Sequence, residues 1–205
     1  MTTRRYRMGR RQTTVDVTRA RILAAARRLL LAPGAAAGRL AFSLEAVARR
    51  ARVARMTVYH QFGSRRALLE ALFDDVAARG GMGDLRGAFG HPDPEESLAR
   101  YVVTFGRFWA SDRLLHRRLQ ALAVLDAELG RALDARQEWR REGLRVVAGR
   151  LGVRAGETID VLFTLTSFHT FDTLAGAERG PTDVVPVVLR LVRAVLGLSA
   201  PRPAG

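Results

Sequence analysis

At 205 residues the chain is long enough for one large or two small domains, each with a real buried core. It has no cysteine, which excludes disulfides, zinc–thiolate centres and thiol catalysis and agrees with a reducing cytosol. Its 34 basic residues, every one an arginine, face 20 acids, so the net charge of +14 calls for a polyanionic partner.

That charge is unevenly placed. Up to Leu72 there are 16 arginines against Asp16, Glu45 and Glu70, whereas the rest of the chain holds 18 arginines and 17 acids. A compositional bias of the genome explains the choice of arginine over lysine, but not where the excess sits. Counterion release from neutralised phosphates would make binding at that end steeply salt-dependent. Met1 to Arg21 is basic and polar, unlike a secretory signal. The most apolar stretch, Val184 to Leu198, is interrupted by Arg190 and Arg193 and is too short to span a bilayer. A cytoplasmic protein without a membrane association is expected.

Residues 1–16 lack apolar periodicity and read as a flexible basic arm carrying Arg4, Arg5, Arg7, Arg10 and Arg11. Helical signal starts at Val17 and Thr18, with Ile22, Leu23, Ala26, Leu29 and Leu30 as an inward stripe. Pro33-Gly34 ends it, and a small-residue loop through Gly38 leads to Ser43.

The segment Ser43 to Phe62, SLEAVARRARVARMTVYHQF, is the most informative in the chain. Ser43 suits a helix N-cap, and Leu44, Val47, Ala48 and Ala51 share one helical face. Arg52-Val53-Ala54 forms a joint with Val53 pointing inward. A second helix, Arg55 to Gln61, would bury Val58 and Phe62 and expose Arg55, Met56, Thr57, Tyr59 and His60. A small residue at the crossing and a short turn are what a helix-turn-helix requires. An ordinary helical hairpin is the alternative, which the basic flanks disfavour.

Gly63-Ser64 breaks and recaps the chain for a fourth helix, Arg65 to about Arg79. Glycine-rich residues between 80 and 92 mark a boundary. Asp93-Pro94-Glu95-Glu96 is a helix start, with cap, first-turn proline and acids at the positive end of the dipole. Helices then follow at about 94–110, 112–124, 126–151, 156–177 and 182–198, with no alternating β pattern and no repeat. The fold class is all-α: an N-terminal three-helix bundle with a helix-turn-helix, joined to a larger C-terminal helical domain. The divisions expected are arm 1–16, helix-turn-helix domain with its linking fourth helix 17–79, second domain 80–200 and tail 201–205.

These residues carry a resemblance. Arg19 with Ile22-Leu23 and Ala25-Ala26, then Ser43-Leu44-x-x-Val47-Ala48-x-x-Ala51-x-Val53, Thr57-Val58-Tyr59-x-x-Phe62 and Ser64-Arg65-x-x-Leu68-Leu69, resemble the signature of the tetracycline-repressor-like (TetR/AcrR) transcriptional regulators. It covers about the first third of the chain; beyond it, only the helical layout and Leu165 to Asp172 look similar. The resemblance implies a homodimer that sets two recognition helices in successive major grooves of a palindromic operator in double-stranded DNA. It also implies a second domain that dimerises through the last two long helices and binds a small-molecule effector. Arg52 stands where the family commonly has a turn glycine, Ala54 where it has a serine, and Arg65 where it has a lysine.

By position, Arg55, Met56 and Thr57 are the candidates for base edges, and Ser43, Tyr59, His60 and Arg65 for phosphates. For Tyr59 the alternative is a half-buried packing role, and for Met56 a merely solvated one. The arm either inserts in the minor groove or adds non-specific attraction. Phe105, Phe108, Trp109, Trp139, Phe163, Thr166 and His169 combine aromatic surface with polar handles and are the candidates for effector contact, with core packing as the alternative at each. No cofactor and no metal site are expected. Neither a glycine-rich phosphate loop nor a nucleophile elbow is present, His60, His91, His116 and His169 are scattered, and only His169 with Asp172 has helical i, i+3 spacing. An enzyme is therefore not expected. The reading is a ligand-released repressor; an activator of the same fold and a sequence-blind architectural DNA binder are the alternatives.

Overall fold

The structure, a computed structural model, describes residues 3–32 and 42–198, with residues 3–14 described by backbone alone. The described residues form α-helices and short 3-10 turns, with no strand: α1 Thr3–Leu30, α2 Leu44–Ala51, α3 Arg55–Phe62, α4 Arg65–Arg79, α5 Leu85–Phe89, α6 Pro94–Ser111, α7 Arg113–Leu125, α8 Ala127–Gly149, α9 Gly156–Leu165, α10 Phe168–Ala175 and α11 Val185–Val195. Two compact units emerge. One comprises residues 1–75 with 117–132, the other 76–116 with 133–205.

In the first unit α1 buries Ile22, Ala25, Ala26, Leu29 and Leu30, the stripe expected from the sequence. The helix starts at Thr3, not at Val17, so the segment read as an arm is helical backbone. The sequence carries no apolar periodicity over these residues, but arginine, methionine and glutamine favour a helix by intrinsic propensity. The loop placed at Pro33 to Gly38 and the tail 201–205 lie outside the described residues. Val47, Ala48 and Ala51 of α2 are buried, as are Leu68, Leu69 and Leu72 of α4. The stretch 117–132 adds Leu119 and Leu129.

Two arginines fasten that stretch. Arg118 Nη1 donates to the carbonyls of Leu30 (3.2 Å) and Ala32 (2.8 Å), closing the end of α1. Arg65 is gripped by the carboxylates of Asp126 and Glu128, and its Nε donates to the Phe42 carbonyl at 2.8 Å. Asp126 also accepts the N–H groups of Glu128 and Leu129, capping α8.

In the second unit one core joins Tyr101, Phe105 and Trp109 of α6, Leu144 and Val147 of α8, Leu162 of α9, Phe168 and Phe171 of α10, and Val188 and Val192 of α11. Gly106 lets α6 approach closely: a Cβ there would lie 2.4 Å from Val185 Cγ2 and 3.1 Å from Phe171. Asp93 caps α6 by accepting the Glu95 N–H at 2.9 Å, as the sequence implied. The glycine-rich boundary contains more structure than expected, a 3-10 turn Met82–Asp84 and α5. The single helix expected at 156–177 is two. Ser167 Oγ takes the Thr170 N–H at 3.2 Å, and the Thr166 carbonyl thus freed accepts Trp109 Nε1 at 3.1 Å. The helix expected at 182–198 opens as a 3-10 turn, Pro181–Val184, and continues as α11 to Val195.

Candidate nucleic-acid interface

The joint between α2 and α3 is built from backbone hydrogen bonds. Ser43 Oγ accepts the Ala46 N–H at 3.1 Å, and its own O–H stays available to donate. At the other end of α2 the Val53 N–H returns to the Ala48 carbonyl (3.1 Å) and the Arg52 N–H to that of Arg49 (3.2 Å). This closure puts Arg52 in the left-handed region at φ 54°, ψ 49°, the one non-glycine residue with positive φ among those described. Ala54 then opens α3 with no side-chain cap.

Helix α3 buries Val58 and Phe62 and turns Arg55, Met56, Tyr59 and His60 outward; Thr57 is half-buried. Met56 is 56% exposed and Tyr59 52%, so Tyr59 is not part of the core. The Tyr59 and His60 rings meet edge-on, 6.5 Å apart. Arg19 of α1 anchors the helix from behind: Nη1 donates to the Gln61 carbonyl at 3.2 Å, and the guanidinium lies 4.5 Å from the Phe62 ring centre. Arg49, Arg50 and Arg52 are exposed beside Arg55, with Glu45 as the acid on α2. Arg49 and Arg50 were not singled out in the sequence, and Arg52 only for its place in the turn; their clustering at the end of α2 was the available signal. The result is an exposed helix face with hydrogen-bonding tips, flanked by cations, a form that fits a major groove and its phosphates.

Arg65 departs from this set. Its Nε, Nη1 and Nη2 all have protein acceptors, and its half-buried guanidinium serves the clamp to Asp126 and Glu128 rather than a phosphate. Burial alone would raise the Asp126 carboxyl, but the Leu129 N–H and Arg65 outweigh it and hold that carboxyl below its ordinary range.

The residues expected to touch an effector divide in two. Phe105, Trp109 and Thr166 are buried, and Phe108 and Phe163 half-buried, all within or against the core of the second unit. Trp139 is 78% exposed and His169 is exposed, which corrects their placement in a cavity: each sits on the outward side of its helix. Asp172 pairs with Arg113, and no group of three potential ligands gathers among the described residues. A surface groove of about 770 Å³ lies instead along α6, beside Gly83, Gly87 and Leu189. It contains none of the expected residues, and its charges are matched within the protein, Arg107 with Asp84 and Arg100 with Glu96.

Two polar residues that periodicity passed over lie inside. His116 is 6% exposed, with its ring 4.7–5.3 Å from those of Phe108, Trp109 and Phe168 and Nε2 3.2 Å from the Phe108 carbonyl. Burial pushes its imidazole down to about 4. Arg140 is 5% exposed. Its Nη1 donates to the Phe163 carbonyl (2.9 Å) and Thr166 Oγ1 (2.7 Å), its Nε to Gln137 (3.0 Å), and its guanidinium lies 3.7 Å from the Phe163 ring centre. Tyr101 Oη donates to the Arg140 carbonyl at 2.6 Å. Burial lowers the guanidinium to about 10 and pushes the Tyr101 phenol up.

No helix among the described residues is long and apolar enough to cross a membrane. No curated protein matches the chain in sequence. Among solved structures, the chain is similar to a TetR-like transcriptional regulator from Rhodococcus sp. RHA1, at 20% identity over 88% of this chain and 97% of that one with a TM-score of 0.58, a likeness of fold. A second similar structure is the R. erythropolis transcriptional repressor QsdR from the TetR family, at 21% identity over 92% of this chain and 99% of that one, with a TM-score of 0.46. Residues 22–72 match the family of bacterial regulatory proteins called the tetR family. That match coincides with α1 from Ile22, the two-helix unit and α4 to Leu72, so in this first unit the chain is similar to the tetR family of bacterial regulatory proteins.

Proposed function

We propose that the protein is a cytoplasmic repressor that binds a palindromic operator as a homodimer and leaves it when a small molecule occupies the second unit. The observation that carries this reading is the exposed face of α3, with Arg55, Met56, Tyr59 and His60 outward beside the cationic Arg49, Arg50 and Arg52. Arg55 reads a guanine through two parallel N–H donors, Met56 and the Thr57 methyl meet thymine methyls, and Ser43, Tyr59 and His60 hold phosphates. Dimerisation is supported by the apolar side chains left outward on α9 and α11: Val161 is 40% exposed, Leu191 40% and Val195 41%. Release follows if the effector favours the state in which the two α3 helices no longer match successive grooves.

Selection of duplexes from random DNA tests this directly. An enriched inverted repeat is expected, and Arg55→Ala should lose about 1–3 kcal/mol of discrimination at one base pair. Salt-sensitive binding with no enriched sequence would instead make the protein an architectural binder.

A further inference from the structure

Arg140 is buried with no carboxylate partner among the described residues. The acids nearest to it in the chain and across α9 are committed elsewhere: Asp160 and Glu138 to Arg141, and Glu138 and Glu142 to Arg145. Two cations also share one ring, since Arg141 lies 4.1 Å from the centre of the Phe163 ring that Arg140 stacks on. These three acids match Arg140, Arg141 and Arg145 in number, but all of their ion pairs go to the two exposed-side arginines and none to Arg140. Carbonyl, hydroxyl and amide oxygens satisfy Nε and Nη1, while Nη2 has no protein acceptor among the described residues and is not sealed from solvent.

A buried cation with no opposite charge is unusual in a folded protein, because desolvation is offset only in part by dipoles and ring faces. An apolar side chain of similar volume would fill the same space without that penalty. A guanidinium kept there against its own solvation is suited to a ligand that brings the missing charge, and its planar fork matches a carboxylate. The surroundings are aromatic. Phe105 lies 5.9 Å from the guanidinium, and Trp109 is tied through its Nε1 to the carbonyl of Thr166, whose hydroxyl holds Arg140.

We propose that Arg140 is the anchor for the effector, and that the effector is a small organic acid whose carboxylate binds Nη2 while its apolar body lies against Phe163. This rests on the proposed ligand-released function and names the chemical class of its ligand. Phe163 is half-buried, so the ring that Arg140 stacks on is also within reach of a ligand from outside. Once bound, the acid neutralises Arg140, so the bound and free states differ by an ion pair in the interior of the second unit.

The experiment is thermal unfolding of the full chain with benzoate and hexanoate, and with benzamide and hexanamide as neutral controls, for wild type, Arg140→Met and Arg140→Lys. The acids should raise the wild-type melting temperature in a concentration-dependent way and the amides should not. Arg140→Met should melt at or above wild type and no longer respond, and Arg140→Lys should keep part of the response. On the selected duplex, the same acids should weaken wild-type binding about tenfold or more and leave Arg140→Met binding unchanged. Acids that move neither wild-type melting nor DNA affinity would overturn the proposal. So would an equal response in Arg140→Met, or an Arg140→Met protein that melts well below wild type and is restored by Arg140→Lys, the mark of a structural pin. Release by neutral amides alone overturns the acid assignment and leaves ligand release standing. Failure to select a duplex, with the acid response intact, sinks only the operator reading.

Discussion

The Arg65 guanidinium at the start of α4 meets the Asp126 carboxylate at the turn between α7 and α8, 61 residues further along the chain. Asp126 simultaneously caps α8, so one carboxylate finishes a helix and ties α4, which follows the two-helix unit, to residues 117–132. A double-mutant cycle with Arg65→Ala and Asp126→Ala should give a coupling of about 1 kcal/mol. The depressed Asp126 carboxyl sets its pH window. Its contribution is full above the unfolded value of about 3.9 and fades as pH falls through the lower folded one. Arg65→Ala should leave the salt dependence of DNA binding unchanged, whereas a lost phosphate contact would reduce the slope by about 0.9.

Arg52 occupies a backbone conformation that a glycine adopts freely. The left-handed region costs an L-residue about 1–2 kcal/mol, and glycine gives back roughly 0.5–1 kcal/mol through the unfolded chain. Arg52→Gly should therefore raise stability by about 0.5–1 kcal/mol in urea titrations. It should also weaken DNA binding at low salt, because an exposed cation beside α3 is removed.

Ala54 leaves the first N–H groups of α3 without a side-chain acceptor. Ala54→Ser, with φ −65° and ψ 147° already suited to a cap, should stabilise the protein by about 1 kcal/mol. Unfolding midpoints that do not move would mean that the serine hydroxyl fails to reach the N–H of Thr57 or Val58.

His116 makes a different prediction, on pH. Its folded value of about 4 lies below the unfolded 6.5, so the unfolded chain binds the extra proton between these limits. Stability should be full above about pH 6.5 and decline as pH falls towards 4, by on the order of 3 kcal/mol from this one group. In His116→Phe, which keeps a ring among Phe108, Trp109 and Phe168, the stability measured between pH 7 and 4.5 should vary less than in wild type by that order.

What the sequence disclosed and what it hid divide along physical lines. The α2–α3 unit was legible because its signals are local: a cap at Ser43, a closure three residues long and apolar residues at helical spacing. Arg52 could be flagged from its position alone, and its φ of 54° followed. Tertiary uses of charge were not legible. Nothing near Arg65 in sequence announces Asp126 and Glu128, and nothing near Arg140 announces Phe163 and Thr166, because helices bring these together from 23 to 63 residues away. The same limit misplaced Trp139 and His169. Residue type suggested a pocket, but the direction in which each helix turns its side chains decided against one. The start of α1 escaped for the opposite reason, since its sequence has no apolar periodicity to read.

Arg118, which closes the end of α1 through the Leu30 and Ala32 carbonyls, has a consequence for synthesis. The unit that carries α3 is assembled from residues 1–75 and 117–132, so it stays incomplete when its first 75 residues have left the ribosome. Both its cap on α1 and its grip on Arg65 arrive only after α5 and α6 have been made. A nascent chain halted before Arg118 lacks these contacts, so the support of α2 and α3 is completed late, in the same interval in which α7 and α8 emerge.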